Sequence, residues 1–175
     1  MKHNIEQTIV VEGGAGTGKT ILAVFLLKLL ADLKNNTFEN DESAGTTDVS
    51  SLLSLINPSR PLKIGFVVPM QSLRQTMKKV FKTIRVLSPN MIYSPVEMVA
   101  AGKDEPFDLL VCDEAHRLRQ RKALSQYPIY DKNNKELGLS QDATELEWIM
   151  KCSKMQILFY DCSLRKKQKL PPKIR

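Results

Sequence analysis

The sequence predicts an α/β fold with a mainly parallel β-sheet, and three observations lead to this prediction. Short apolar runs alternate with longer segments that have helical patterns, as in successive βαβ units. The apolar runs are apolar on both faces, which is typical of strands covered by helices on each side. Glycine-rich or acidic residues follow two of these runs directly, at the edge of the sheet where parallel folds bind ligands.

Each element has its own signal. The predicted strands are apolar and partly β-branched, and they occupy residues 8–12, 62–68, 91–93, 107–112 and 155–160. The segment 19–33 is apolar nearly all round, which predicts a helix packed inside the domain. The segment 71–87 is amphipathic, and a capping box at Ser94 and Glu97 begins a helix that Gly102 ends. A further helix is predicted at 143–153 with Asp142 as its cap, and a short one at 51–56.

Composition limits the class of protein. The net charge is +7, but six of the basic residues lie in 165–175, and the rest of the chain carries 20 basic and 19 acidic residues. We therefore expect one folded domain at 1–164, with a polar insertion at about 35–60, followed by a disordered basic tail at 165–175. Without a signal peptide or an apolar run of membrane length, we expect a cytoplasmic protein whose three cysteines are reduced.

A glycine-rich loop follows the first predicted strand and runs into the first predicted helix. Residues 13–20 fit the pattern G-x-x-x-x-G-K-[ST] in this strand–loop–helix context. Backbone N–H groups and the helix N-terminus can cradle phosphates, the lysine adds positive charge, and the final hydroxyl can bind Mg²⁺. The predicted nucleotide-binding residues are Gly13, Gly14, Ala15, Gly16, Thr17, Gly18, Lys19 and Thr20. This motif predicts a P-loop NTPase.

Two adjacent carboxylates follow the strand at 107–112. Asp113 is the predicted partner of Thr20 in holding Mg²⁺, and Glu114 is the predicted base that polarises the attacking water. His116 is either a sensor of the γ-phosphate or a surface residue at the start of a basic stretch. Asp161, at the end of another strand, is a further candidate for a polar link to the phosphate region.

The helix at 71–87 has a basic face opposite its apolar stripe. This face, which carries Arg74 and Lys78, is either a solvated surface or one wall of a groove for a polyanionic strand. Trp148 lies on an amphipathic segment and is a predicted core residue. The run 133–137 has Leu137 where a guanine-reading motif needs an aspartate, so no guanine selectivity is predicted.

Four segments together resemble a known family. Residues 10–20, 66–74, 111–119 and 157–161 are similar to the Schlafen group 3 DNA/RNA helicase domain, of superfamily 1 helicase type. The resemblance implies a RecA-like three-layer sandwich, catalytic roles for Lys19, Glu114 and His116, and contacts to single-stranded nucleic acid from Gln71, Ser72 and Arg74. The basic face of the helix at 71–87 adds Lys78 as a fourth candidate for these contacts. Leu164 stands where the family's third motif has glutamine. A second RecA-like domain would have to come from a longer protein, so this chain is expected to be a truncated product or an excised first domain with weak activity.

The function predicted from the sequence is that of an ATP-binding domain of a helicase-like ATPase. In the complete protein it would hydrolyse ATP with Mg²⁺ and couple this reaction to single-stranded DNA or RNA. Two alternatives remain open. One is a signalling or defence NTPase with no nucleic-acid role, and the other is a non-catalytic nucleotide-binding module.

Overall fold

The computed structural model describes residues 7–35, 62–121 and 127–161. Within them, five strands form one sheet: β1 (Gln7–Gly13), β2 (Ile64–Val67), β3 (Ile92–Tyr93), β4 (Phe107–Cys112) and β5 (Ser153–Asp161). Their order across the sheet is β1-β5-β4-β2-β3, and every neighbouring pair is parallel. The five predicted strands are therefore confirmed, each with ends within two residues of the prediction.

Helices cover both faces of the sheet. They are α1 (Lys19–Asn35), α2 (Gln71–Thr83), α3 (Pro95–Gly102), α4 (Tyr127–Glu136) and α5 (Glu145–Lys151), with short 3₁₀ helices at Pro89–Met91 and Ala115–Arg117. Successive strand residues point to opposite faces. Accordingly, Phe66 and Val111 pack with residues of α1 and α2, whereas Val67 and Leu110 pack with residues of α3, α4 and α5. The predicted α/β fold, a RecA-like three-layer sandwich of P-loop type, is confirmed.

The prediction that α1 is buried on all sides is wrong. Ala23 and Leu27 are fully buried against the sheet, but Ile21 and Phe25 are 75% and 61% exposed. The reason is geometric, because a helix lying on a sheet turns only one side toward it and its outer side faces away. The apolar composition of α1 did not distinguish these two sides.

Two helix ends also differ from the sequence prediction. Helix α2 ends at Thr83 rather than at residue 87, and Ile84 is already in an extended conformation. Helix α5 begins after Thr144, not after Asp142. The Thr144 hydroxyl accepts a hydrogen bond from the backbone N–H of Glu147, whose carboxylate accepts one from the N–H of Thr144. The capping box predicted at Ser94 and Glu97 is confirmed, with α3 ending at Gly102.

Helix α4 was not predicted from the sequence, and it contains most of the run that resembles a guanine-reading motif. The amide oxygen of Asn134 accepts a hydrogen bond from the indole N–H of Trp148, which is fully buried as predicted. This asparagine therefore has a structural role in the core between α4 and α5.

Several predictions fall outside the described residues. These are the helix at 51–56, the polar insertion beyond residue 35, Cys162 and the basic tail at 165–175. In the part of the chain that is described, Cys112 and Cys152 are buried free thiols. No helix there has the length and apolar character needed to cross a membrane.

Candidate functional site

The glycine-rich loop connects β1 to α1 at the carboxyl edge of the sheet. Gly16 and Gly18 have φ angles of 76° and 82°, in the left-handed region where a side chain would be strained. The Lys19 ammonium group donates hydrogen bonds to the carbonyl oxygens of Gly13 and Gly14, at 2.8 and 2.6 Å. The loop thus surrounds the Lys19 ammonium group, and the first turn of α1 follows it directly.

A single hydrogen bond joins this loop to the acidic pair. The Thr20 hydroxyl donates to Oδ2 of Asp113 at 2.7 Å, across 93 positions of sequence. Asp113 is fully buried at the end of β4, and its Oδ1 accepts the backbone N–H of Glu114 at 3.0 Å. The two residues predicted to hold Mg²⁺ are therefore in direct contact.

Burial has an electrostatic consequence for Asp113. Loss of solvent raises the pKa of its carboxyl group, while the Thr20 hydroxyl, the Glu114 N–H and the charge of Lys19 act in the opposite direction. A carboxylate in this position is costly without a nearby cation. Its oxygen chemistry, together with the adjacent hydroxyl, fits the preference of Mg²⁺ for oxygen ligands.

Glu114 has a backbone conformation that is uncommon for its residue type. Its φ and ψ angles are 52° and 42°, and it is the one non-glycine residue with positive φ in the described segments. Such a conformation costs of the order of 1 kcal/mol and is often found at functional sites. It turns the chain from β4 into the short helix at Ala115–Arg117 and leaves the carboxylate partly exposed beside Asp113.

His116 is buried, so of the two alternatives for this residue the surface histidine is excluded. Its Nδ1 accepts the backbone N–H of Asp161 at 3.4 Å, and its ring meets the edge of the Tyr160 ring. Its Nε2 lies 3.0 Å from Oε2 of Glu114, close enough for an ion pair if protonated, although the angle is not that of a hydrogen bond. The residue connects the candidate base to the end of β5, and its catalytic role stays a prediction.

The position of β5 explains this connection. β5 lies between β1 and β4 in the sheet, with Asp161 in register with Gly13. Asp161 is therefore at the same edge as the glycine-rich loop and the acidic pair, as the sequence suggested. A direct link from its side chain to a phosphate remains untested.

The basic stretch that follows β4 is paired with acids, which the sequence did not reveal. Arg117 donates to Glu114 at 3.1 Å, and Arg121 makes a two-point contact with Asp131 at 2.8 and 3.1 Å. Arg119 donates through both its backbone N–H and its guanidinium to Glu145, a fully buried carboxylate. Glu145 was missed because its only sequence signal, a first-turn acid on α5, is shared by ordinary capping residues.

A cleft of about 460 Å³ lies at the same edge of the sheet, beyond the acidic pair. It is lined by Gln71, Arg74, Arg117 and Arg119, together with the turns before α2 and α3. The Arg74 guanidinium also donates to the carbonyl oxygens of Val68 and Pro69, which holds it at the end of β2.

The structure separates the four predicted nucleic-acid contacts. Gln71 and Arg74 line the cleft. Ser72 is exposed on the first turn of α2 without lining it, and Lys78 lies one turn beyond Arg74 on the same helix. The Ser94 backbone N–H is the main cause of a lowered pKa at Glu97, and the charges of Lys78 and Arg74 add to it. These two cations therefore lie near α3, and the basic face of α2 is only partly directed at the cleft.

Comparison with known proteins agrees with this geometry. No curated protein and no solved structure gave a significant match to the chain. The family model described as "Schlafen group 3, DNA/RNA helicase domain" matches residues 6–172, which is nearly the whole sequence. The chain therefore belongs to the Schlafen group 3 DNA/RNA helicase domain family.

Proposed function

We propose that this domain binds ATP with Mg²⁺ and hydrolyses it, and that in the complete protein the reaction is coupled to single-stranded DNA or RNA. The observation that carries the proposal is the hydrogen bond between Thr20 and Asp113. It brings the end of a phosphate-type loop and the acidic residue that follows β4 together at the carboxyl edge of the sheet. The helicase-type family supports a nucleotide-dependent activity.

Each residue would have a distinct task. The backbone N–H groups of residues 13–20 would bind phosphate oxygens, and the Lys19 ammonium would turn from the loop carbonyls toward them. Thr20 and Asp113 would hold Mg²⁺, which supplies charge neutralisation for phosphoryl transfer. Two protein ligands are typical for this ion, which keeps several waters and phosphate oxygens in its shell.

Glu114 is placed to accept a proton from the attacking water. Its carboxylate is partly exposed, lies on the residue after Asp113, accepts a hydrogen bond from Arg117 and has Nε2 of His116 3.0 Å away. An adjacent carboxylate of this kind favours transfer to water over transfer to another acceptor. These features support hydrolysis over a purely nucleotide-binding role.

The cleft supports the nucleic-acid part of the proposal. It opens at the carboxyl ends of β2 and β4, is adjacent to Glu114 through Arg117, and has three arginines and Gln71 in its wall. Arginine and amide groups in an open groove fit a sugar–phosphate backbone without base readout. Binding should therefore tolerate sequence changes and depend steeply on salt, with a slope of about 0.7 per phosphate contacted on a single strand.

The test measures ATP turnover by the protein with and without single-stranded DNA and RNA. Stimulated turnover that is lost in Arg74→Ala and kept in Arg85→Ala supports the proposal, since Arg85 is exposed beyond the end of α2 and does not line the cleft. Turnover that ignores nucleic acid would favour the signalling NTPase. Tight ATP binding without turnover in the complete protein would favour the non-catalytic module.

A further inference from the structure

One side chain belongs to both the candidate catalytic centre and the cleft. The Arg117 Nε donates to Oε2 of Glu114 at 3.1 Å, three residues apart across the short helix at Ala115–Arg117. The same residue lines the cleft, and the Arg117 side chain is 47% exposed. The candidate base is thus bonded to a cation that solvent, and anything in the cleft, can reach.

The other two arginines of the cleft have different partners. Arg74 donates to backbone carbonyl oxygens at the end of β2, and Arg119 is held by the fully buried Glu145. Neither contacts Glu114 in these bonds. Arg117 is therefore the cleft arginine that connects a bound anion with the acidic pair.

The Glu114–Arg117 pair is weak enough to exchange. Ion pairs between partly exposed side chains contribute little, because water competes for both charges. A phosphodiester offers the guanidinium two oxygens in a fork geometry, which is a favourable arrangement for arginine. A nucleic-acid strand bound in the cleft can therefore replace Glu114 as the partner of Arg117 with little loss of free energy.

We infer that Arg117 is a positioning residue that couples the cleft to the candidate base: Glu114 and a nucleic-acid phosphate compete for its guanidinium. With the cleft empty, the Arg117 Nε–H occupies Oε2 of Glu114, so this oxygen is not available to an attacking water. With a strand bound, Arg117 turns to the phosphate, and Glu114 is left with His116 beside it. This inference rests on the proposed function, since it names the residue through which nucleic acid would stimulate hydrolysis.

The coupling must act in both directions, because linkage between two binding events is reciprocal. If a phosphate releases Glu114, then removing the charge of Glu114 must make Arg117 more available to a phosphate. Affinity for a strand can therefore report the coupling without any measurement of turnover.

The experiment is a double-mutant cycle on the full chain, with a fluorescent oligo-dT strand as the probe at one fixed low salt concentration. Glu114→Gln should tighten binding about two- to fivefold, the range expected for an exposed pair. In an Arg117→Gln background the same substitution should have no effect. The basic tail is present in all four proteins, so its contribution cancels.

Two further variants control for long-range charge. Arg121→Gln removes an arginine from the same stretch that pairs with Asp131 and does not line the cleft, so Glu114→Gln should still tighten binding there. Arg117→Lys keeps the charge and should retain part of the tightening. Equal tightening with and without Arg117, or none in the wild-type background, overturns the coupling while leaving nucleic-acid binding in place. No binding by any variant overturns the proposed nucleic-acid role and the coupling together.

Discussion

Replacing Arg119 with alanine should destabilise the domain, even though this arginine lines an open cleft. Its guanidinium contacts Oε1 of Glu145 at 2.8–2.9 Å, and Glu145 is fully buried at the start of α5. Removing the guanidinium leaves the Glu145 carboxylate in the interior. From residue 119, that carboxylate then accepts a hydrogen bond from the backbone N–H alone.

The structure sets the size of the effect. Breaking a fully buried ion pair costs 3–5 kcal/mol, but half of the Arg119 side chain is in solvent and the backbone donor stays, so we expect about 2–3 kcal/mol. For a chain of this size the corresponding fall in Tm is roughly 4–12 °C. Arg117→Ala removes a partly exposed pair in the same cleft, and its cost should stay below about 1 kcal/mol.

Urea unfolding followed by tryptophan fluorescence measures both variants. Trp148 is the single tryptophan of the sequence, is fully buried, and lies three residues after Glu145 on α5. Adding Glu145→Gln to Arg119→Ala should restore part of the lost stability, because the buried charge is gone. An Arg119→Ala loss no larger than that of Arg117→Ala, or a further loss in the double variant, would refute the reasoning.

Three further predictions concern the proposed nucleotide site. Lys19→Ala should abolish Mg²⁺-ATP binding while the domain stays folded, because within the described residues the hydrogen bonds of the Lys19 ammonium go to loop carbonyls; calorimetry showing equal affinity would contradict the phosphate-loop assignment. Glu114→Gln should keep ATP binding and remove hydrolysis by the complete protein, since an amide is a poor base; turnover within about threefold of the wild type, under 1 kcal/mol of barrier, would exclude Glu114 as that base. Asp113→Asn should raise Tm in chelator without nucleotide. Burial raises the pKa of the Asp113 carboxyl group, so the charged carboxylate lowers the stability of the fold at any pH above the ordinary pKa of aspartate. The gain in Tm of Asp113→Asn over the wild type should therefore be full at neutral pH and vanish as the pH falls below the ordinary pKa of aspartate. A gain in Tm that does not change with pH would contradict this reasoning.

The sequence was most informative where the backbone imposes a residue type. Gly16 and Gly18 have positive φ angles that other residues avoid, so their spacing was visible in the sequence. The strands were visible because both faces of a covered parallel sheet are apolar. The family resemblance, which the whole-chain family match supports, rested on these same segments.

What the sequence did not show depends on contacts between distant residues. Arg119 and Glu145 are 26 positions apart in the sequence. The sequence of a basic stretch does not show whether distant acidic residues pair with it in the fold. The outer side of α1 also carries large apolar residues, so exposure at Ile21 and Phe25 was not foreseen. Helix α4 has a low apolar content, and its burial comes from Tyr130 and Asn134 packing on α5.

The place of β5 in the sheet sets the order in which the domain can assemble. β1, the edge strand that carries the glycine-rich loop, pairs in the described sheet with β5 alone, and Gln7 meets Met155 only after most of the chain has been made. Because synthesis proceeds from the N-terminus, β1 leaves the ribosome first and stays without its sheet partner until β5 has been synthesised. Contacts of such long sequence separation also form slowly. A chain that stalls before residue 153 therefore has the glycine-rich loop and the acidic pair but lacks β5, the strand that joins β1 to β4 in the sheet.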